Sequence, residues 1–159
     1  MGVEISSVQR WIQTSDFYSH WDGIANTITV IKAKSGNIFG GFTEQEWHSR
    51  SEWVTDPKAF IFSLANKEEK PFKALCSNEG KQALRCKPIR GPFFGGEGDY
   101  IRDICIQSDS NLNKESYSNF GHSYQHPDYL KETNKAKKIL AGSYNFQTIE
   151  IEVYAKTNW

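Results

Sequence analysis

Four groups of residues have types and spacings that invite chemistry. His122 and His126 are four positions apart, the interval that places two imidazoles on one helix face as metal ligands. Pro127 disfavours helical geometry at His126 and no third ligand stands beside the pair, so a solvated loop is expected. Asp109-Ser110-Asn111-Leu112-Asn113 opens like a calcium loop with oxygen ligands at alternate positions. Lys114, however, stands where such a loop turns on glycine, and Phe120 where it closes with a bidentate glutamate. Glu150 and Glu152 share one face of an expected strand, with Cβ atoms ~6.5–7 Å apart. Carboxylates at that distance serve glycoside hydrolysis, yet any half-exposed strand shows the same alternation, and no substrate-binding residues accompany these two. Gly40-Gly41 and Gly95-Gly96 complete neither a dinucleotide fingerprint nor a phosphate loop, because neither pair joins a strand to a helix. They are expected to relieve crowding at strand ends or bulges. A nucleophile-elbow serine is missing, and no cysteine and histidine can be paired by spacing. The residues imply no catalytic group, no metal and no cofactor.

Cys76, Cys86 and Cys105 are the chain's three cysteines, at spacings that suit neither a closed disulfide framework nor a zinc site. Reduced thiols, acting as small hydrophobes in or beside strands, and a cytoplasmic location are expected. Met1 to Arg10 contains no apolar run long enough for a secretory signal. Gly2 with Ser6 matches the minimal N-myristoylation pattern, but the polybasic stretch that firm anchoring needs does not follow.

The elements that must position these residues are mostly strands. With 159 residues, 38% hydrophobic, 24% charged and 14% aromatic, the chain suits a single domain over 1–159. Nineteen basic and nineteen acidic residues cancel, which removes the positive footprint of a general nucleic-acid binder. No segment is apolar for long enough to insert stably in a membrane as a helix. Ile5, Val8 and Ile12 recur at helical spacing, and Ser15 or Asp16 is placed to cap a second short helix carrying Phe17 and Trp21. From Thr27 the pattern becomes β-branched, turns at Ser35-Gly36-Asn37 and returns through Ile38 to Phe42 as a hairpin. Further strands are expected at Ala59 to Leu64, Phe72 to Leu75, Ala83 to Cys86 and Tyr100 to Ile106, with Tyr100, Ile104 and Ile106 on one face. Ser108 to about Ala136 reads as a long polar surface loop, with a helical turn or two between Asp128 and Lys138. Ile149, Ile151 and Val153 alternate with polar neighbours and are expected to face the core. Of five tryptophans, Trp21 and Trp47 lie beside expected elements and should be core. The pattern as a whole predicts a mainly β domain, a two-layer antiparallel β-sandwich with peripheral α-helices.

In that order the segments resemble the TLDc family. The resemblance is carried by Thr27 to Thr43 (TITVIKAKSGNIFGGFT), Trp47, Asp56 to Leu64 (DPKAFIFSL), Gly91 to Gly96 (GPFFGG), Leu140 to Phe146 (LAGSYNF) and Glu150 to Tyr154, over about residues 16 to 155. Trp11 to Ser15 stands where family members usually carry a Tyr-Arg-Ala-Ser-like stretch. The resemblance implies a sandwich of two antiparallel sheets without known catalytic chemistry. It also implies roles in oxidation resistance and in binding the vacuolar-type proton pump (V-ATPase), with possible peripheral residence at acidic organelles. The family-motif positions it assigns, structural or interacting, are Gly40, Gly41, Trp47, Phe60, Gly95, Gly96, Gly142, Ser143, Tyr144, Phe146, Glu150 and Glu152. Beside this reading as a protein-binding module, a carbohydrate-binding or hydrolytic β-sandwich stays open. Convergent carboxylates or histidines in a deep cleft, or a row of exposed Trp, would mark that alternative.

Overall fold

β-Branched and aromatic residues alternate with small or polar ones along most of the chain, and the backbone pairs accordingly. The computed structural model describes residues 5–11, 17, 20–87 and 91–156. Its strands are β1 (Ile5–Trp11), β2 (Thr27–Ala33), β3 (Ile38–Thr43), β4 (Trp53–Val54), β5 (Phe60–Ala65) and β6 (Phe72–Leu75) in the first half. They continue as β7 (Leu84–Arg85), β8 (Phe93–Phe94), β9 (Ile104–Cys105), β10 (Ser116–Tyr117), β11 (Asn145–Phe146) and β12 (Thr148–Lys156), with helix α1 at Asn134–Ile139. One sheet runs β1-β12-β2-β3-β5-β6 and the other β11-β10-β9-β8-β7-β4, all neighbours antiparallel. The two pack as a sandwich.

Period-two alternation decides which side of the first sheet is inside. Along β2, Thr27, Thr29, Ile31 and Ala33 point inward, while Ile28, Val30 and Lys32 point out. Trp47 fills the space between the sheets: fully buried, it meets Phe17 and Phe94 edge-on at 4.9 and 5.7 Å. Its indole Nε1 donates to Thr27 Oγ1 at 2.9 Å, so the one polar atom of the ring is satisfied. Trp21 is buried as expected. Gly41 is glycine because Phe94 of the opposite sheet lies on it; a Cβ there would stand 2.4 Å from the ring. The β2–β3 hairpin tip is tied to the end of α1, with Asn37 Nδ2 donating to the Leu140 carbonyl and Ser35 Oγ to that of Ala141. These bonds occupy carbonyls that the helix C-terminus leaves without intrahelical partners.

Several expectations change. Residues 5–11 are a strand, not a helix, because the backbone of β1 pairs with β12 from Ile5↔Lys156 to Trp11↔Ile151, a partner remote in sequence that overrides the local spacing. Residues 17, 20 and 21 are helical, while Gly2, Ile12, Ser15 and Asp16 lie outside the described residues. Ile149 is 52% exposed while Ile151 and Val153 are buried. The cause is a bulge: Thr148 pairs with Ala33 and Glu150 with Lys32, leaving Ile149 as the extra residue. Thr148 takes the inward place, and its hydroxyl meets that of Ser110 at 2.8 Å. Of the expected Tyr100 to Ile106 strand only β9 forms, and Tyr100 is 88% exposed. The Ser108 to Ala136 segment is no surface loop, since Ser110, Ser116, Phe120, Tyr124, Tyr129 and Ala136 are all buried.

The bulge makes an unequal pair of substitutions. Ile149→Lys is expected to change unfolding free energy by less than about 0.5 kcal/mol, and Ile151→Lys to cost about 3 kcal/mol or more by burying a charge. Urea denaturation of the two variants checks this, and equal costs would place Ile149 in the core.

Candidate functional site

Charged side chains gather where β8 and β9 leave the second sheet. Asp103 directly precedes β9 and is completely buried. Its Oδ1 accepts from the backbone amides of Gly121 (2.9 Å) and His122 (3.0 Å), and its Oδ2 from that of Ser123 (2.9 Å). Burial pushes this carboxyl up to about 6, against the pull of the three amides and of His122. Gly95, at φ +67°, passes over the same carboxylate, and a Cβ there would lie 2.2 Å from Asp103 Oδ2. Ser123 Oγ accepts from the Gly96 amide and lies within 3.0 to 3.1 Å of the Gln82 and Gly96 carbonyls. Tyr124 donates its hydroxyl to the Ala83 carbonyl at 2.7 Å, and burial holds that phenol well above its ordinary range. Together these bonds bind the 121–124 loop to the turn before β7 and to the Gly95-Gly96 corner.

Above this buried lattice, His122 bridges two acidic residues. Its Nδ1 lies 3.1 Å from Glu97 Oε2 and its Nε2 3.0 Å from Glu132 Oε1, with 3% of the side chain exposed. The expectation of a solvated His122 is therefore corrected: two flanking carboxylates and the fold of 121–123 around Asp103 seal it. A neutral imidazole donates to one of these acceptors and an imidazolium to both. Lys137 reaches Glu132 at 3.0 Å and Lys131 reaches Glu97 at 3.9 Å. Hydrogen bonding from Lys137, then from Asn119 and His122, holds the Glu132 carboxyl below its ordinary value. His126 turns away, its ring 5.0 Å from Phe72 and 5.2 Å from Tyr129, beside an open cleft of about 440 Å³ lined by Gly121, Gln125, Pro127, Leu130 and Lys131. The two histidines thus share no ligand position. Among the described residues no group of three or more His, Cys, Asp or Glu is arranged for a metal ion.

The other motif positions fall elsewhere. Gly40, Gly41 and Phe60 belong to strands of the first sheet and Trp47 packs on its core side, while Phe60 is half-buried and stacks on Phe42 at 5.0 Å. Gly142 follows α1, and its amide donates to the Lys138 carbonyl. Ser143 donates to the Asn145 carbonyl, Tyr144 stacks on Tyr117 at 5.4 Å, and Phe146 meets Phe39 edge-on at 5.4 Å. Glu150 and Glu152 are half-buried on the outer side of β12, where Glu152 accepts from the Tyr154 hydroxyl. Ser110 of the calcium-like segment is buried against Thr148, so its hydroxyl serves the core.

Sequence reasoning missed Asp103 and Arg102. Arg102 is 2% exposed, stacks over Trp53 at 4.9 Å, and donates to the carbonyls of Gly98, Asp99 and Ile101. The available signal was an Arg-Asp pair set between Ile101 and Ile104 in an otherwise apolar run.

The described arrangement defines a β-sandwich domain whose buried ionisable groups bind backbone loops in place. The TLDc domain family model matches residues 6–156, nearly the whole chain, and this chain belongs to that family. No curated protein gives a match.

Because the Asp103 carboxyl sits near 6 when folded and at 3.8 as a free group, the native state holds the extra proton between those values. Its contribution to stability is greatest below about 3.8 and is lost as pH rises through 6. Asp103→Asn is expected to cost about 2–3 kcal/mol near neutral pH by turning an amide NH₂ toward backbone donors. Chemical denaturation across this pH range should show wild type gaining stability relative to D103N as pH falls, and a constant difference would refute the assignment.

Proposed function

We propose that this chain is a non-catalytic interaction domain that binds the V-ATPase and contributes indirectly to oxidative-stress resistance, in the cytoplasm or peripherally at acidic organelles. The observation that carries the proposal is the TLDc match over residues 6–156. The disposition of polar groups supports it. Asp103, Arg102 and Ser123 are engaged with backbone groups, and both His122 ring nitrogens contact carboxylates. Trp21 and Trp47 are buried and Trp53 is stacked by Arg85 and Arg102, which leaves these three unsuited to a sugar platform. No described helix is long and apolar enough to cross a membrane.

The cysteines' surroundings support a protective role that is indirect. Cys86 and Cys105 are buried, and none of the three cysteines is joined in a disulfide. Burial, reinforced by the Asp103 and Asp56 charges, pushes the half-buried Cys76 thiol up to about 11. Oxidants attack the thiolate, of which only ~10⁻⁴ exists at neutral pH for such a group. Iodoacetamide near neutral pH is expected to label the native protein slowly, and labelling after unfolding without reductant to find all three thiols. Rapid native labelling of Cys76 would point instead to direct redox chemistry.

The pump proposal is tested by affinity purification of the folded chain from a eukaryotic lysate, with subunits scored by mass spectrometry. Recovery of peripheral V-ATPase subunits is expected. Their repeated absence, with folding verified by circular dichroism, would remove the pump from the proposal and leave an interaction domain.

A further inference from the structure

One end of the sandwich carries positive charge and exposed aliphatic side chains around a cleft. The cleft, of about 310 Å³, opens where the β2–β3 hairpin tip, the segment before β10 and the chain around β11 meet. Ala141 and Phe146 are its buried lining residues, and its charged ones are Lys34 and Lys114, both exposed. No lining residue is acidic; Glu115, next to Lys114 in the chain, is not part of the lining. Neither lysine has an ion-pair partner among the described residues. Other donors are already engaged, since Ser35 donates to the Ala141 carbonyl and Ser143 to that of Asn145. The two ammonium groups are thus the charged donors left for an incoming group. Leu112, two positions before Lys114, is 74% exposed, and Ile149, two positions after Gln147, is 52% exposed. Their segments are pinned together by the Thr148 amide on the Ser110 carbonyl at 2.8 Å and by the Gln147 side chain on the Asn111 carbonyl at 2.6 Å. Both aliphatic groups therefore stand beside the cleft. Ile149 faces outward because of the β12 bulge, a device that gives up a ladder position to re-aim a side chain. A single exposed leucine is ordinary surface, whereas two aliphatic groups beside two unpaired ammoniums form a patch of mixed character.

We infer that this end of the domain is a docking surface for an acidic segment of a partner protein, an extended stretch with carboxylates on either side of an apolar residue. Carboxylates of the segment pair with Lys34 and Lys114, and its apolar side chain lies against Leu112 and Ile149. Charge complementarity selects that occupant. The chain as a whole is neutral, so it exerts no general pull on polyanions, and attraction is confined to local excesses of this kind. The flanking aliphatic groups favour a peptide over a nucleic acid, whose phosphates would leave leucine and isoleucine uncovered. The inference rests on the proposed reading of the chain as a protein-binding module and adds to it the place and chemistry of one partner segment.

Charge reversal tests the place as well as the chemistry. The nitrogen-15-labelled chain is titrated with synthetic peptides acetyl-Asp-Glu-X-Asp-Glu-amide, X being Leu, Ile or Phe, and followed by amide magnetic resonance. Shifts clustered at 34–35, 112–114 and 143–149 are expected, saturating with a Kd on the order of 10⁻⁴ M. Lys34→Glu and Lys114→Glu should each weaken binding about fivefold or more. Leu112→Ser and Ile149→Ser should each weaken it roughly two- to threefold. All four positions are exposed, so the variant spectra should keep the dispersion of a folded chain. The K34E/K114E chain should instead take up acetyl-Lys-Lys-Leu-Lys-Lys-amide, a gain that loss of structure does not produce. The inference is overturned by no saturable shift up to about 2 mM peptide, by shifts centred elsewhere, or by equal binding of acidic and basic peptides to the wild type. Flotation with phosphatidylserine vesicles that is lost in K34E/K114E, while the peptides leave the spectrum unchanged, assigns the surface to an anionic membrane and also overturns it. Recovery of pump subunits is a separate measurement: a chain that binds the pump and ignores the peptides fails here alone, and one that binds the peptides without recovering the pump fails there alone.

Discussion

One buried carboxylate holds the second half of this domain together. Strands in the second sheet are two residues long, too short to specify their own arrangement through ladder hydrogen bonds. Asp103 supplies what they lack by accepting three consecutive backbone amides, those of residues 121, 122 and 123, from a segment about twenty positions away. Ordering that segment places Ser123 against the Gly95-Gly96 corner, Tyr124 against Ala83, and His122 between Glu97 and Glu132. Each of these bonds satisfies a group that would be costly to bury alone. The carboxyl's raised proton affinity is the visible cost of putting a charge where only amides solvate it.

The first sheet is stabilised differently. Its strands are long, their registers agree across the sheet, and their inner faces meet Trp47 and Phe94. Here shape is the constraint, most clearly at adjacent glycines with opposite tasks. Gly41 admits the Phe94 ring from the other sheet, and Gly40 admits the Phe62 ring on the outside. A Cβ at Gly40 would stand 1.8 Å from the Thr29 carbonyl oxygen and one at Gly41 2.4 Å from the Phe94 ring, so both glycines are needed for fit.

Polar and apolar groups are divided unequally between the interior and the surface of this domain. Asp103, Arg102 and Ser123 are drawn inward to bind loops, whereas Ile28, Leu64 and Leu75 remain exposed on the outer face of the first sheet. Which side chains such a domain presents on each face depends on how its strands are aligned. That presentation follows directly from register, because each strand alternates its side chains between the two faces.

Much was legible from residue order. β-Branched alternation located β2, β3, β5, β6 and most of β12, and Ser35-Gly36-Asn37 marked the hairpin, since period-two patterning and turn chemistry are local properties. The tryptophans assigned to the core are there, and the glycine pairs serve packing. What the sequence could not decide depended on partners remote in the chain. Ile5 and Val8 suit a helix until β12 offers a ladder, and Ile149 suits the core until a bulge opposite β2 turns it outward. The polar stretch after Ser108 suits solvent until Asp103, buried beneath it, takes up its amides. Local pattern reports periodicity, but only the tertiary structure supplies the distant acceptor or ladder that determines which periodicity is used. That is why Asp103 and Arg102 came into view only with the fold, and why His122, conspicuous by its spacing from His126, found its partners Glu97 and Glu132 only there.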